Sequence, residues 1–75
     1  MFDSGWETMK DTVLKRAAKS GRPVEIIYMD EKGKITQRRI RIRVIREDLV
    51  EAYCFERKGV RRFKRSNILA ARESE

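Results

Sequence analysis

Glu51-Ala52-Tyr53-Cys54-Phe55-Glu56-Arg57-Lys58-Gly59-Val60-Arg61-Arg62-Phe63 reads as two strands joined by a tight turn at Lys58-Gly59. Alternation puts Tyr53 and Phe55 on one side of the first strand and Ala52 and Cys54 on the other. The second strand returns with Arg61, Arg62, Phe63 and Lys64. A two-residue turn pairs Phe63 with Cys54 inside and Lys64 with Tyr53 outside. Aromatic rings set among arginines form a chemically loaded surface.

Upstream, Ile35–Arg46 alternates cleanly in its second part. Ile40, Ile42 and Val44 point one way, and Arg39, Arg41 and Arg43 the other. The stretch is long enough to be a half-buried strand bent midway. Glu47-Asp48 forms the turn into the strand Leu49–Glu56. Two registers are available. Pairing Arg46 with Leu49 puts the isoleucines on a face with Glu51. Pairing Ile45 with Leu49 sets Ile40, Ile42 and Val44 against Cys54, Ala52 and Val50. A one-residue slip exchanges the faces, and the second register buries apolar against apolar. Its outer face holds Arg43 opposite Glu51, Arg41 opposite Tyr53 and Arg39 opposite Phe55. Guanidinium stacking on such rings contributes about 0.5–1 kcal/mol each when exposed. Three arginines along one face repel one another, so they call for acids, aromatics or a bound anion.

Further upstream, Val24–Met29 is rich in β-branched and aromatic residues and reads as a strand. The polar turn Asp30–Lys34 follows, with Gly33 where positive φ is needed. Before it, Ser4-Gly5-Trp6-Glu7 matches a capping box. Trp6, Met9, Val13, Leu14 and Ala17 recur at helical spacing, so a helix is expected over residues 5–19, stopped by Gly21 and Pro23. Its apolar stripe serves as a lid on the core, and the Tyr53/Phe55 face is one place it could cover. Downstream, Ser66-Asn67 starts a short turn or single helical turn, and Ile68–Arg72 forms a last short edge strand. One helix followed by about five short, bent strands predicts a mainly β fold, a small Sm/SH3-like five-stranded barrel.

The chain has 75 residues, enough for one domain. Its net charge of +7 comes from 19 basic and 12 acidic residues. That excess points to nucleic acid, phosphate-bearing ligands or an acidic protein face as partner. The lone Cys54 forms no internal disulfide and suits a reducing, cytoplasmic setting, as a small core residue. No apolar run approaches the roughly 20 residues of a membrane span, and no secretory signal is visible. With no histidine, neither a Ser-His-Asp nor a Cys-His arrangement can be written. No zinc site of standard spacing and no Gly-rich phosphate loop can be written either. The expectation is a non-enzyme without metal or cofactor.

From Val24 onward the chain resembles the WYL domain, an Sm-like barrel module of bacterial transcription regulators. The resemblance rests on Val24-Glu25-Ile26-Ile27-Tyr28, then Arg38 and Ile40, then Ala52-Tyr53-Cys54, Arg57, Arg61, Phe63 and Ile68. It sets the expected layout of the single domain 1–75, with a WYL-like barrel over residues 24–72. Asp48-Leu49-Val50 stands near the place of the family's Trp-Tyr-Leu, and Ile42 where the family has proline. The chain has no room for the winged helix-turn-helix that most members carry, and so reads as a stand-alone module. The resemblance implies a regulatory sensing domain that binds nucleotides or nucleic-acid strands through Arg38, Tyr53, Arg57 and Arg61.

Together the expected binding residues are Arg38, Arg39, Arg41, Arg43, Tyr53, Phe55, Arg57 and Arg61. Arg57 and Arg61 could instead brace the turn against Glu56. The expected function is a non-enzymatic regulatory module binding single-stranded nucleic acid or a nucleotide-type anion. The alternative is a protein-interaction or self-assembly module of Sm-like type, pairing with a regulatory protein or with itself through exposed edge strands.

Overall fold

The computed structural model describes Trp6 and residues 10–74. The capping box at Ser4–Glu7 and Met9 of the expected helical stripe lie outside those residues. The chain forms α1 (Lys10–Ser20), β1 (Val24–Met29), β2 (Ile35–Ile45), β3 (Leu49–Cys54), β4 (Gly59–Lys64), a short 3-10 turn (Arg65–Asn67) and β5 (Ile68–Glu73). The five strands make one antiparallel sheet in the order β4-β3-β2-β1-β5. Mainly β with one helix, it matches the expected class. The hydrogen-bonded ladder does not close into a barrel, because β4 and β5 remain at opposite edges.

Helix α1 buries Val13, Leu14 and Ala17, residues spaced to share one face. That face packs on β5 and β2. Gly21 ends the helix at φ +73°, a conformation glycine adopts without a side-chain clash. Its N–H still donates to the Ala17 carbonyl at 2.9 Å. Trp6 lies before the helix, not in its stripe, and its ring stacks 4.4 Å from the Arg72 guanidinium.

Beneath α1, the inward residues of the sheet form the core. Val24, Ile26, Ile40, Val50, Ala52, Cys54, Ile68 and Ala71 are fully enclosed, with Ile42 and Phe63 close behind. The alternation of β2 and β3 produces this directly: Ile40 faces Cys54, Arg41 faces Tyr53 and Ile42 faces Ala52. That is the apolar-on-apolar register.

It does not persist to the turn. A bulge between Ile42 and Val44 leaves Arg43 without a partner on β3 and shifts the pairing by one. Val44 then faces Glu51 and Ile45 faces Val50. The Arg46 N–H donates to the Leu49 carbonyl at 2.8 Å. Both candidate registers therefore occur in one hairpin, one on each side of Arg43. Val44, expected inside, is turned out, and Ile45 replaces it against the core. Arg43 does not sit opposite Glu51.

The β3–β4 turn also differs from expectation. It spans Phe55–Lys58, four residues, and Gly59 already pairs with Cys54. Lys58, not Gly59, takes the positive φ, at 55°. Phe63 consequently faces Val50 instead of Cys54, and Lys64 faces Leu49 instead of Tyr53. The displacement is an even number of residues, so Phe63 still points inward.

A second bulge on the β1–β5 ladder leaves Leu69 unpaired and exposed, since Tyr28 pairs with Ile68 and Ile27 with Ala70. No helix among the described residues is long and apolar enough to cross a membrane.

Candidate functional site

The sheet has an inner face, partly covered by α1, and an outer face. The strand period of two divides the cations of β2 between them. Arg38 shares the inner side with Ile40 and Ile42, while Arg39 and Arg41 point out.

Beyond the core, the inner face opens into a groove of about 410 Å³ lined by Tyr28, Asp30, Glu31, Lys32, Arg38, Arg57, Arg61, Arg62 and Phe63. Four different segments meet there. Strand β1 and its following turn supply Tyr28 and Asp30–Lys32. Strand β2 supplies Arg38, the β3–β4 turn Arg57, and β4 the remainder. On the apolar side, Tyr28 and Phe63 pack edge to face, centroids 5.1 Å apart at 83°. Burial of Phe63 fixes the pair, and the Tyr28 hydroxyl accepts the Lys64 backbone N–H at 3.2 Å. That bond leaves the hydroxyl proton available as a donor.

Five cations line the groove (Lys32, Arg38, Arg57, Arg61, Arg62) against two carboxylates (Asp30, Glu31). One of those carboxylates is engaged locally. Asp30 Oδ1 accepts the backbone N–H groups of Lys32 and Lys34 at 2.9 and 2.8 Å, folding the turn. Among the described residues, Arg57, Arg61 and Arg62 form no ion pair. Arg38 donates to the Thr36 hydroxyl at 3.2 Å, which orients its guanidinium along β2 without neutralising it. The groove carries three more cations than carboxylates and has an aromatic wall. Guanidinium forks suit phosphate and carboxylate oxygens.

Glu56 does not brace Arg57 or Arg61. Its carboxylate instead accepts the Arg39 backbone N–H, with both oxygens at 3.3 Å, and the Cys54 thiol at 3.5 Å. Cys54 itself is fully buried.

On the outer face a second cluster forms. The Tyr53 and Phe55 rings meet edge to face at 5.3 Å and 82°. The guanidinium carbons of Arg39 and Arg41 lie 5.2 and 5.9 Å from the Phe55 centroid. Both cations share one ring, in place of the one-cation-per-ring arrangement expected. The Phe55 N–H donates to the Arg39 carbonyl at 3.0 Å, which carries the β2–β3 ladder one step past β3 and holds the ring there. Helix α1 packs on the opposite face, so it does not cover Tyr53 or Phe55. Arg43, at the bulge, is exposed.

The expected residues thus fall into two groups. Arg38, Arg57 and Arg61 converge on the groove, and Arg39, Arg41, Tyr53 and Phe55 form the outer ridge. Tyr53, grouped with the groove arginines by the resemblance, lies on the opposite face from them. Tyr28, Arg62, Phe63 and Lys32 also line the groove, although none of them is among the expected binding residues. Strand parity puts Tyr28 on the face of Val24 and Ile26, diagonal to Arg38 across the ladder, but does not by itself bring it to β4. Among the described residues, no three His, Cys, Asp or Glu side chains gather into a metal-ligand group.

No protein-family model matches the chain. No curated protein matches it. Solved structures do. The fold resembles part of a proteasome accessory factor. One similar structure is proteasome accessory factor B/C (PafBC) of Arthrobacter aurescens, with a TM-score of 0.70. Sequence identity is 22%, over 85% of this chain and 11% of the PafBC chain. The present chain therefore spans a small part of PafBC's length. At that identity the likeness to PafBC is one of backbone architecture.

Proposed function

We propose that this chain is a non-enzymatic regulatory module of the WYL type, binding a nucleotide or nucleic-acid anion in the inner groove. The observation that carries the reading is the convergence of Arg38, Arg57 and Arg61, from three separate segments, on one cavity with a tyrosine wall. These are three of the four residues that the WYL resemblance nominates. The backbone architecture shared with part of PafBC supports the fold that this reading assumes. In this reading the arginines hold phosphate oxygens, and Tyr28 contributes a hydroxyl donor and an apolar ring. A volume of about 410 Å³ falls in the range of small-ligand sites.

Calorimetric titration with ATP, AMP and pyrophosphate tests it. Binding should strengthen with phosphate number and drop about tenfold or more in the Arg38→Gln/Arg61→Gln double variant, in keeping with the strength of charge-assisted hydrogen bonds. No heat with any of the three at low salt would remove the groove from consideration.

One observation favours self-association as a second reading. Edge strand β4 carries Val60, 48% exposed, and among the described residues no strand pairs with its outer edge. A mass that rises above the monomer with concentration in light scattering, and falls back with Val60→Lys, would support it. A constant monomeric mass would dismiss it.

A further inference from the structure

From the open edge of the sheet we infer that β4 takes an extended acidic segment of another protein as an added antiparallel strand. The site is independent of anion binding in the groove and competes with self-association for the same edge. Three observations carry this.

The first is which backbone groups are open. The Lys64 N–H goes to the Tyr28 hydroxyl at 3.2 Å, away from β3, while the Arg65 N–H goes back to the Asp48 carbonyl at 3.0 Å. Successive residues of an antiparallel ladder turn their backbone groups to opposite sides. Val60 and Arg62 share the parity of Lys64, so their N–H and C=O groups face the open edge. The β3–β4 register runs from Leu49–Lys64 to Cys54–Gly59 without a shift, which keeps that edge regular enough to template a strand.

The second is the contrast with the opposite edge. Strand β5 is broken by the bulge at Leu69, and the Lys10 ammonium occupies its Ile68 carbonyl. Bulges and covering elements guard edges against strand addition. Among the described residues the β4 ladder carries no bulge, and α1 packs on β5 and β2 instead.

The third is charge. Strand β4 and the turn before it carry Arg57, Lys58, Arg61, Arg62 and Lys64. Glu51 stands opposite Arg62 on β3, yet the two form no ion pair, and Glu56 is engaged by the Arg39 backbone N–H. A second copy laid antiparallel about Arg61 would set the two Arg61 residues against each other and each Lys58 against a Lys64. Like charges directly opposite destabilise a strand pair, whereas carboxylates in those places are attracted. An added strand matches this edge with acids opposite Arg62 and Arg61 and an apolar residue opposite Val60, which is 48% exposed. Main-chain bonds then give affinity and side-chain matches give specificity.

The probe is a capped peptide of about six residues, a common strand length, with Glu-Glu-Val at its centre. Titration followed by amide NMR should shift the Val60 and Arg62 signals saturably and slow their hydrogen exchange several-fold. A peptide with the same side chains and an N-methylated backbone should bind about tenfold more weakly, since it cannot donate to the edge. Val60→Pro removes an edge donor without touching the β3 ladder, and should weaken the peptide while leaving ATP binding in the groove unchanged. Arg62→Glu should weaken the Glu-Glu-Val peptide and favour a Lys-Lys-Val one, a reversal that a misfolded variant cannot give should Val60→Pro fail to fold. Equal binding of the N-methylated peptide would reduce the effect to charge attraction and overturn the proposal. Signals that move at Arg38 and Arg57 while Val60 and Arg62 stay still would put the acids in the groove and overturn it too. So would protection of Val60 and Arg62 that rises with protein concentration alone, which gives the edge to a second copy. ATP titration of the groove is a separate measurement, so failure at one site does not entail failure at the other.

Discussion

The Lys64 backbone N–H donates to the Tyr28 hydroxyl at 3.2 Å, tying the end of β4 to β1 across two intervening strands. This bond and the Tyr28–Phe63 ring contact draw the sheet into a curl although its ladder stays open. Tyr28→Phe keeps the ring contact and removes the oxygen. We expect a loss of about 1 kcal/mol, the net worth of one hydrogen bond, in urea denaturation. Faster amide exchange at Lys64 should accompany it. Unchanged Lys64 exchange would mean that the curl depends on packing alone.

Arg65 clamps three segments together. Its Nη1 donates to the carbonyls of Arg46 and Glu47 at 2.8 and 3.4 Å, its Nη2 pairs with Asp11 at 2.9 Å, and its backbone N–H reaches the Asp48 carbonyl at 3.0 Å. The hydrogen bond and charge of Arg65 hold the Asp11 carboxyl below its ordinary value of 3.8, against a smaller opposing effect of burial. A lowered folded-state value means that the stabilisation is complete above about 3.8 and is lost as pH falls through the lowered value. Asp11 is more than half exposed, so solvent screening keeps the pair below about 1 kcal/mol. Asp11→Asn should therefore destabilise slightly at pH 7 and converge with wild type in strong acid. Arg65→Ala, which also leaves carbonyls without their donor, should cost more at every pH. Thermal melts across a pH series check both.

The bulge at Arg43 makes neighbouring apolar residues unequal. Val44 is 37% exposed and Ile42 only 6%. Val44→Thr should change stability by no more than about 0.5 kcal/mol. Ile42→Ala should cost about 2–5 kcal/mol. Equal costs in urea denaturation would contradict the shifted register.

Lys58 holds φ at 55°, where a β-carbon is strained. Lys58→Gly should stabilise the β3–β4 turn by up to about 1 kcal/mol, read as a rise in melting temperature. A fall would show that the lysine side chain contributes something the backbone does not.

Much of this architecture is legible in the residues. Strand β1 has the bounds expected of it because Val24–Met29 is an uninterrupted β-forming run between turn signals. The inward and outward faces of β2 follow from alternation up to Ile42. The bulge is hidden because the pattern Arg41-Ile42-Arg43-Val44 alternates straight through it. Residue type marks no break, and only the backbone shows one. The β3–β4 turn escapes a reading by residue type because glycine is the usual carrier of positive φ, and here a lysine takes that role beside it. For the groove, Arg38, Arg57 and Arg61 come from the WYL resemblance, while Tyr28 reads only as a strand former. Its part in the groove depends on β4 curling back onto β1, a long-range relationship that local patterning does not encode.

The unpaired residue at position 43 also isolates one end of the molecule from the other. It absorbs a one-residue mismatch, so the segment linking β2 to β3 could be lengthened or rewritten without dragging Arg38 or Arg41 out of place. Diversity in that connector, introduced by selection or by design, would be mechanically silent at both cationic surfaces.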